Sequence, residues 1–574
     1  MRTTKYCLTT LAILFGLNLS AQTDTTNSDA DVDNIHVNVF DRYEANVREA
    51  RKISLQPNFE DTTTQKLNVT YNFTPRIVES DVELDPIPAA LITRQRVERF
   101  PENMVKLGIG NYTTPEFTLV LANSRSNSLN WSLALDHFST QTGALRDRVV
   151  YNDNFTMRNQ LRGGLAYIGR DWRFKTDVDV NLRDVSYYGV PQIAGVNESL
   201  ADTDPMRQRY YTYGINTKLD RSRSGGSEVF RGVEASYQYL HDRYSAQEHF
   251  IKTNADWTIP AGDLDLYLGT GFDYLDYSAD STGTNTYAIR LTPHVKHQVN
   301  GIHFTVGLNV NVVGTNTTDL TGEFQDTSLT RVYFFPEIRA ELPLVRDVLN
   351  IFGGWIGNVD LNGLSGLSQM NPYLQPGVYV RETGVNKIYA GFSGRISRRF
   401  GYNLQADYFL YSNRAFFFRD SLALSTGFDP YLNVEYGDMG VLSPRAEITY
   451  HHPMGIEVSA NAAYFMYNRA DDLLAYHLPD FRGSLNFSYN WKKKITLKTN
   501  FIVTGPRSGF QPEGNAANAN MPTFYDWRFY AEYKYNDYLS AYLSLNNILN
   551  QDYDLWYGYP AQGTRVILGL AFRF

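Results

Sequence analysis

The sequence predicts an all-β fold: a transmembrane antiparallel β-barrel of about 22 strands behind a short amino-terminal periplasmic extension. Three observations carry that prediction. Long runs alternate apolar and polar residues, the connections between them alternate between tight and long, and the chain is aromatic without a long apolar helix. Its 574 residues are 43% hydrophobic and include 41 Tyr, 33 Phe and 7 Trp, too aromatic for a disordered chain. Beyond residue 20 no apolar run reaches the roughly 18 residues that a membrane helix needs, which excludes a polytopic helical protein.

Taken in chain order, residues 1–21 read as a secretory signal peptide. Arg2 and Lys5 precede an apolar stretch from Leu8 to Leu19, and Ser20-Ala21 offers small residues for cleavage before Gln22. Cys7 is the only cysteine and stands at the start of the apolar stretch, not at its end, so it does not mark a lipoprotein. The mature chain is therefore expected to have no thiol for a disulfide, a metal or nucleophilic chemistry. Residues 22–102 form the expected extension, polar and interrupted by Pro57, Pro75, Pro86 and Pro88. Lys66–Phe73 reads as its one strand and Tyr43–Lys52 as a helical turn.

From residue 103 to 574 the texture becomes the period-2 pattern of strands with two chemically different faces. In Trp172–Leu182 one face is Trp172, Phe174, Thr176, Val178, Val180 and Leu182, and the other holds Arg173, Lys175, Asp177, Asp179 and Asn181. The pattern returns in Leu264–Tyr274, in Leu485–Trp491 and in Leu539–Asn546. Strands of a soluble sandwich run about five or six residues. These are longer, with one apolar face, which suits about 9–11 residues crossing lipid.

The connections sort by length. Tight ones fall at 168–171, 260–263, 299–301, 398–401, 452–455, 491–494 and 536–537, and long polar ones at 139–159, 186–207, 314–330, 358–384, 412–440, 468–481 and 504–524. Short periplasmic turns and long extracellular loops are the habit of outer-membrane barrels, and a barrel of about 22 strands has a lumen wide enough to need filling.

The chain ends on Thr564–Phe574, which alternates Val566, Leu568, Leu570, Phe572 and Phe574 on one face. Leu570, Phe572 and the terminal aromatic suit both a closing strand and the signal read by outer-membrane insertion machinery. Before it stand Leu545-Asn-Asn-Ile-Leu-Asn-Gln-Asp-Tyr553 and Gly558-Tyr-Pro-Ala-Gln-Gly-Thr-Arg565. This region resembles the carboxyl-terminal hairpin of TonB-dependent receptors, over about 30 residues. The resemblance implies an energised importer in the outer membrane of a Gram-negative-type envelope, with a plug domain and a box that pairs with TonB. The sequence departs from that pattern in its short extension and in lacking the plug motifs, so it looks like a plug-reduced relative. Within Ile35–Val39, Val37 and Val39 suit an extended stretch that adds to a TonB sheet edge, or an ordinary linker.

Chemistry of other kinds is not written in the chain. Lys and Arg total 53 against 61 Asp and Glu, a net charge of −8, which gives no basic face for nucleic acid. His451-His452 and His294 with His297 lack the spacing of a metal site, Asp29–Asp33 lacks the glycine and glutamate of a calcium loop, and no phosphate loop occurs. No enzyme and no cofactor is expected. Recognition is expected in the loop 412–440, where Phe416, Phe417, Phe418, Phe428 and Tyr431 are candidate ligand contacts. Two function classes follow: uptake of a nutrient or other ligand, or a scaffold subunit that docks a periplasmic or outer-membrane protein. For docking, the sequence offers Pro75–Pro88 with Glu79, Asp81, Glu83 and Asp85. Membrane lipid and the insertion machinery are partners in either case.

Overall fold

A computed structural model of the chain describes residues 103–574, apart from 124–125, 127, 142–153, 190–205, 222–228, 262–263, 281, 320–326, 419–429, 470–474 and 510–519. The strand and helical turn expected before residue 103, and Val37 and Val39, lie outside the described residues. Within them runs a closed antiparallel barrel of 22 strands, and no described helix is long and apolar enough to cross a membrane.

The strands follow one another round the ring. They are β1 (Met104–Gly110), β2 (Thr114–Asn123), β3 (Leu129–Thr140), β4 (Thr156–Ile168), β5 (Trp172–Ser186), β6 (Arg207–Arg221) and β7 (Phe230–Asp242). Next come β8 (Gln247–Ala261), β9 (Leu264–Ser278), β10 (Thr282–Val299), β11 (Ile302–Asp319), β12 (Thr327–Val345), β13 (Leu349–Leu361), β14 (Glu382–Ser397) and β15 (Phe400–Phe418). The ring is completed by β16 (Asn433–His452), β17 (Ile456–Tyr464 continued as Met466–Arg469), β18 (Phe481–Trp491), β19 (Ile495–Thr504), β20 (Phe524–Lys534), β21 (Leu539–Asn546) and β22 (Arg565–Arg573). A helix of two turns, α1 (Leu364–Met370), is inserted between β13 and β14.

Closure is made by β1 pairing with β22, from Met104 opposite Arg573 to Gly110 opposite Ile567. At this seam Gly108 lies opposite Gly569, and the Tyr542 ring of β21 lies across both, so that a methyl group on either glycine would collide with it. The Lys106 ammonium sits 3.9 Å over the same ring and 3.1 Å from Glu116, a cation shared between a π-face and a carboxylate. Asn103 and Phe574 exchange backbone hydrogen bonds, so the described chain begins and ends at one rim. We call it the near rim, and the opposite one the far rim.

Side chains sort as the alternation predicts. Val178, Phe272, Leu485, Leu568, Leu570, Phe572 and Phe574 point outward and are exposed, forming an apolar belt. The lumen face is polar and cross-linked by ion pairs: Asp407 takes Lys387 and Arg445 at 2.8 Å each, Glu382 takes Arg331 at 2.6 Å, and Glu532 takes Arg573 at 2.6 Å. Near-rim turns are tight. Asn300 and Gly301 both take positive φ between the paired Val299 and Ile302, the two-residue turn whose twist matches that of the strands.

Two details differ from the sequence expectation. Three far-rim connections, 111–113, 243–246 and 279–281, are as tight as the near-rim ones. Several strands also outrun their expected ends: β11 reaches Asp319, β15 reaches Phe418 and β16 starts at Asn433, all inside segments expected as loop. Above the bilayer both faces of a strand meet water, so Thr, Asn and Ser occupy both and the apolar alternation that marks a strand disappears. The wall is therefore uneven, from 7 residues in β1 to 20 in β16.

Candidate functional site

The largest core among the described residues lies within the far mouth of the barrel. Far-rim connections turn inward and bury Tyr188, Leu364, Leu367, Leu374, Val378, Val380, Leu432, Trp556 and Tyr559 against the strand residues Tyr210, Leu240, Tyr277 and Phe417. A barrel interior at this level would otherwise be open to water, so these apolar surfaces stabilise the closed mouth by leaving water together.

Tyrosine hydroxyls fix the inward-turned segments. Tyr187 donates to the carbonyl of Leu374 at 2.7 Å, Tyr188 to that of Pro560 at 3.0 Å, Tyr210 to that of Pro372 at 3.1 Å, and Tyr559 to that of Pro430. Each bond satisfies a loop carbonyl that burial has taken from water, where an unpaired group would cost ~1–3 kcal/mol. The rings pack as well as bond. Tyr373 stacks on Tyr559 with centroids 3.8 Å apart, and Tyr188 meets Tyr559 edge-on at 5.1 Å. Burial pushes the Tyr187 and Tyr188 phenols well above their ordinary pKa, with neighbouring tyrosines adding to it.

Three polar clamps complete the lid. The fully buried Glu248 at the start of β8 accepts hydrogen bonds from the Ser365 amide and hydroxyl in the first turn of α1, which anchors the helix to the wall. The His477 ring bridges two segments: its Nδ1 faces the Phe417 carbonyl at 3.1 Å and its Nε2 accepts from the Tyr557 amide at 3.1 Å. Arg507 donates to the carbonyls of Leu555 and Asp554 at 2.9 and 2.7 Å, and burial lowers its pKa to about 10.

The candidate residues of the sequence divide three ways. Phe416 and Phe417 lie on the far end of β15 and are buried, Phe417 edge-on to Trp556 at 5.4 Å in the lid core. Phe418 closes the same strand, and Tyr431 packs edge-on against Tyr187 at 4.7 Å; both are half-buried. Phe428 lies outside the described residues. Leu570 and Phe572 point outward on β22, and Phe574, directly after it, is exposed as well. His451 sits at the near end of β16, 3.7 Å from Glu457, and His294 stacks on Tyr267 at 5.4 Å, while no group of three metal-ligating side chains occurs among the described residues. Sequence reasoning named Tyr431 but missed the other lid tyrosines, although a proline and a tyrosine stand side by side at Pro372-Tyr373, Pro430-Tyr431 and Tyr559-Pro560 in three separate far-rim connections.

No protein-family model and no curated protein matches the chain. Solved structures do match it in shape. The FrpB iron transporter from Neisseria meningitidis superposes with a TM-score of 0.63 at 10% identity, covering 83% of this chain and 82% of its own. The ferric-catecholate import receptor Fiu from E. coli K12 gives 0.60 at 12%, covering 83% and 82%. The ferripyoverdine receptor of the Pseudomonas aeruginosa outer membrane gives 0.61 at 13%, covering 84% and 73%. The chain thus has the fold of the TonB-dependent receptor barrels, as its carboxyl-terminal hairpin led us to expect. These three are described as one transporter and two receptors.

Proposed function

We propose that this protein is an outer-membrane uptake barrel whose mouth is held shut by the tyrosine-fixed lid until a ligand from outside releases it. The far rim is then the cell surface and the near rim faces the periplasm. The observation that carries the reading is the aromatic core built across the mouth. A scaffold would need no such core, whereas a gated pore needs a closed state with a definite energy. The shared fold with importers of iron complexes supports the same reading.

In this scheme Phe418 and Tyr431, with Phe428 of the same connection, meet the incoming ligand, and Phe417, packed on Trp556, transmits its arrival to the lid core while Phe416 holds the strand end to Met439 and Val441. Residues 22–102 lie on the periplasmic side as a reduced plug, with Val37 and Val39 in the stretch that TonB grips. Leu570, Phe572 and Phe574 serve the insertion machinery before the barrel closes.

Planar-bilayer conductance tests the scheme. Mature protein and a form lacking residues 22–102 are both expected to be silent, because the lid alone closes the lumen. Tyr559→Ala removes two ring contacts and one hydrogen bond, a loss of about 3–5 kcal/mol, and in the truncated form it should give steady conductance. Silence of that double variant, correctly folded, would remove the gate from the account.

A further inference from the structure

The near rim carries a group of cations that the barrel does not use. Arg346 in the β12–β13 turn, Arg395 at the end of β14, and Arg398 and Arg399 in the β14–β15 turn are all exposed. None of them is in an ion pair among the described residues, although most lumen cations are cross-linked to carboxylates. Beside Arg395 the lumen wall is hollowed into a groove of about 510 Å³ lined by Ser393, Gly401, Asn403 and Thr449. Asp347 and Glu447 also border it, leaving the cations in excess.

One stretch of this chain matches that surface. Glu79-Ser-Asp-Val-Glu-Leu-Asp85 places an acid at every second position, so an extended backbone presents Glu79, Asp81, Glu83 and Asp85 on one side and Ser80, Val82 and Leu84 on the other. Pro86 directly after it, and Pro88, restrict the backbone to extended conformations. We infer that residues 79–85 of this chain dock as an extended segment in the lumen groove at Arg395, their carboxylates set against Arg346, Arg398 and Arg399.

The tether permits it. The described chain begins at Asn103 beside β1, on the same rim as the groove. A ring of 22 tilted strands is roughly 45 Å across, and the chain from Asp85 to Asn103 spans up to about 60 Å when extended. Among the described residues the other dense basic turn at this rim, Lys492–Lys494, faces outward: the Lys492 ammonium lies 5.5 Å over the outward-pointing Trp491 ring. The docking does not depend on whether the barrel transports anything.

Disulfide trapping tests it, since Cys7 is the only native cysteine. In the full chain, Asp81→Cys paired with Ser393→Cys should cross-link under mild oxidant at least tenfold faster than Asp81→Cys paired with Thr496→Cys, on β19 and nearer the tether. Replacing Arg346, Arg395, Arg398 and Arg399 by Gln, or adding 0.5 M NaCl, should remove that preference. Heat-modifiable gel migration verifies that each variant has folded. Equal trapping by the two pairs, or trapping indifferent to the arginines and to salt, overturns the docking. If the arginine variant instead loses co-purifying anionic phospholipid with trapping unchanged, the cations serve lipid headgroups and the proposal is equally overturned.

Discussion

At the scale of single residues, the tyrosines of the lid do two jobs with one side chain. The ring supplies apolar area, and the hydroxyl returns a hydrogen bond to a carbonyl that burial would otherwise orphan. This makes the lid sensitive to alkali in a definite direction. A phenol whose pKa is raised by folding supports the folded lid below its ordinary value of about 10, and that support is lost as pH rises further, because the opened form then ionises and the closed form does not. Conductance of the form lacking residues 22–102 is therefore expected to stay low to pH 9 and to rise reversibly between pH 10 and 11. Tyr187→Phe with Tyr188→Phe, which cannot ionise, should blunt that rise while raising the baseline at pH 7, each lost bond being worth about 1 kcal/mol. A flat profile in the parent would show that the two phenols remain buried when the mouth opens. None of these bonds was legible in the sequence, because the partners are far apart along the chain: 162 residues separate Tyr210 from Pro372, and 372 separate Tyr188 from Pro560.

At the scale of elements, the strands were legible wherever lipid lies on one side and water on the other. Leu539–Asn546 was bounded correctly and Trp172–Leu182 fell short by only four residues at its far end, because each has a continuous apolar face. The same logic failed for the upper part of β15, where Phe416 and Phe417 are buried on opposite faces and no apolar-polar alternation marks the strand, and for α1, whose two turns take their stability from Glu248 and the lid, not from their own sequence. The seam between β1 and β22 is a different case, since Gly108 and Gly569 leave room there for the Tyr542 ring. Gly108→Ala would press a methyl group against the Tyr542 hydroxyl, costing about 1–3 kcal/mol. The temperature at which the barrel loses its compact gel mobility should fall accordingly. Tyr542→Phe, which deletes the colliding oxygen, should restore most of the loss, and an additive double variant would show that the ring does not lock the seam.

At the scale of the whole molecule, the barrel is polar within, apolar around its waist and capped on one side by its own connections. The even number of strands brings both ends of the described chain to one rim, so anything tethered ahead of Asn103 meets the lumen from that side, while in the proposed scheme a ligand meets the lid from the other. Transport in this arrangement requires two separate events, a release at the mouth and a displacement beneath it. The wall that connects them is far from uniform, and its unevenness has a consequence for the surroundings. Outward apolar residues run from Val105 to Ile109 on β1 but from Val332 to Leu344 on β12, or about 14 Å against about 41 Å measured along the strand. Lipid cannot match both heights at once. Beside β1 the acyl chains must shorten or the barrel must lean, so the protein is expected to carry a fixed tilt and a thinned crescent of membrane along one flank, measurable as depth-dependent quenching of labels placed on β1 and β12. Two such barrels meeting flank to flank would share a single thinned zone instead of maintaining two, and the bilayer itself would then draw their β1 sides together.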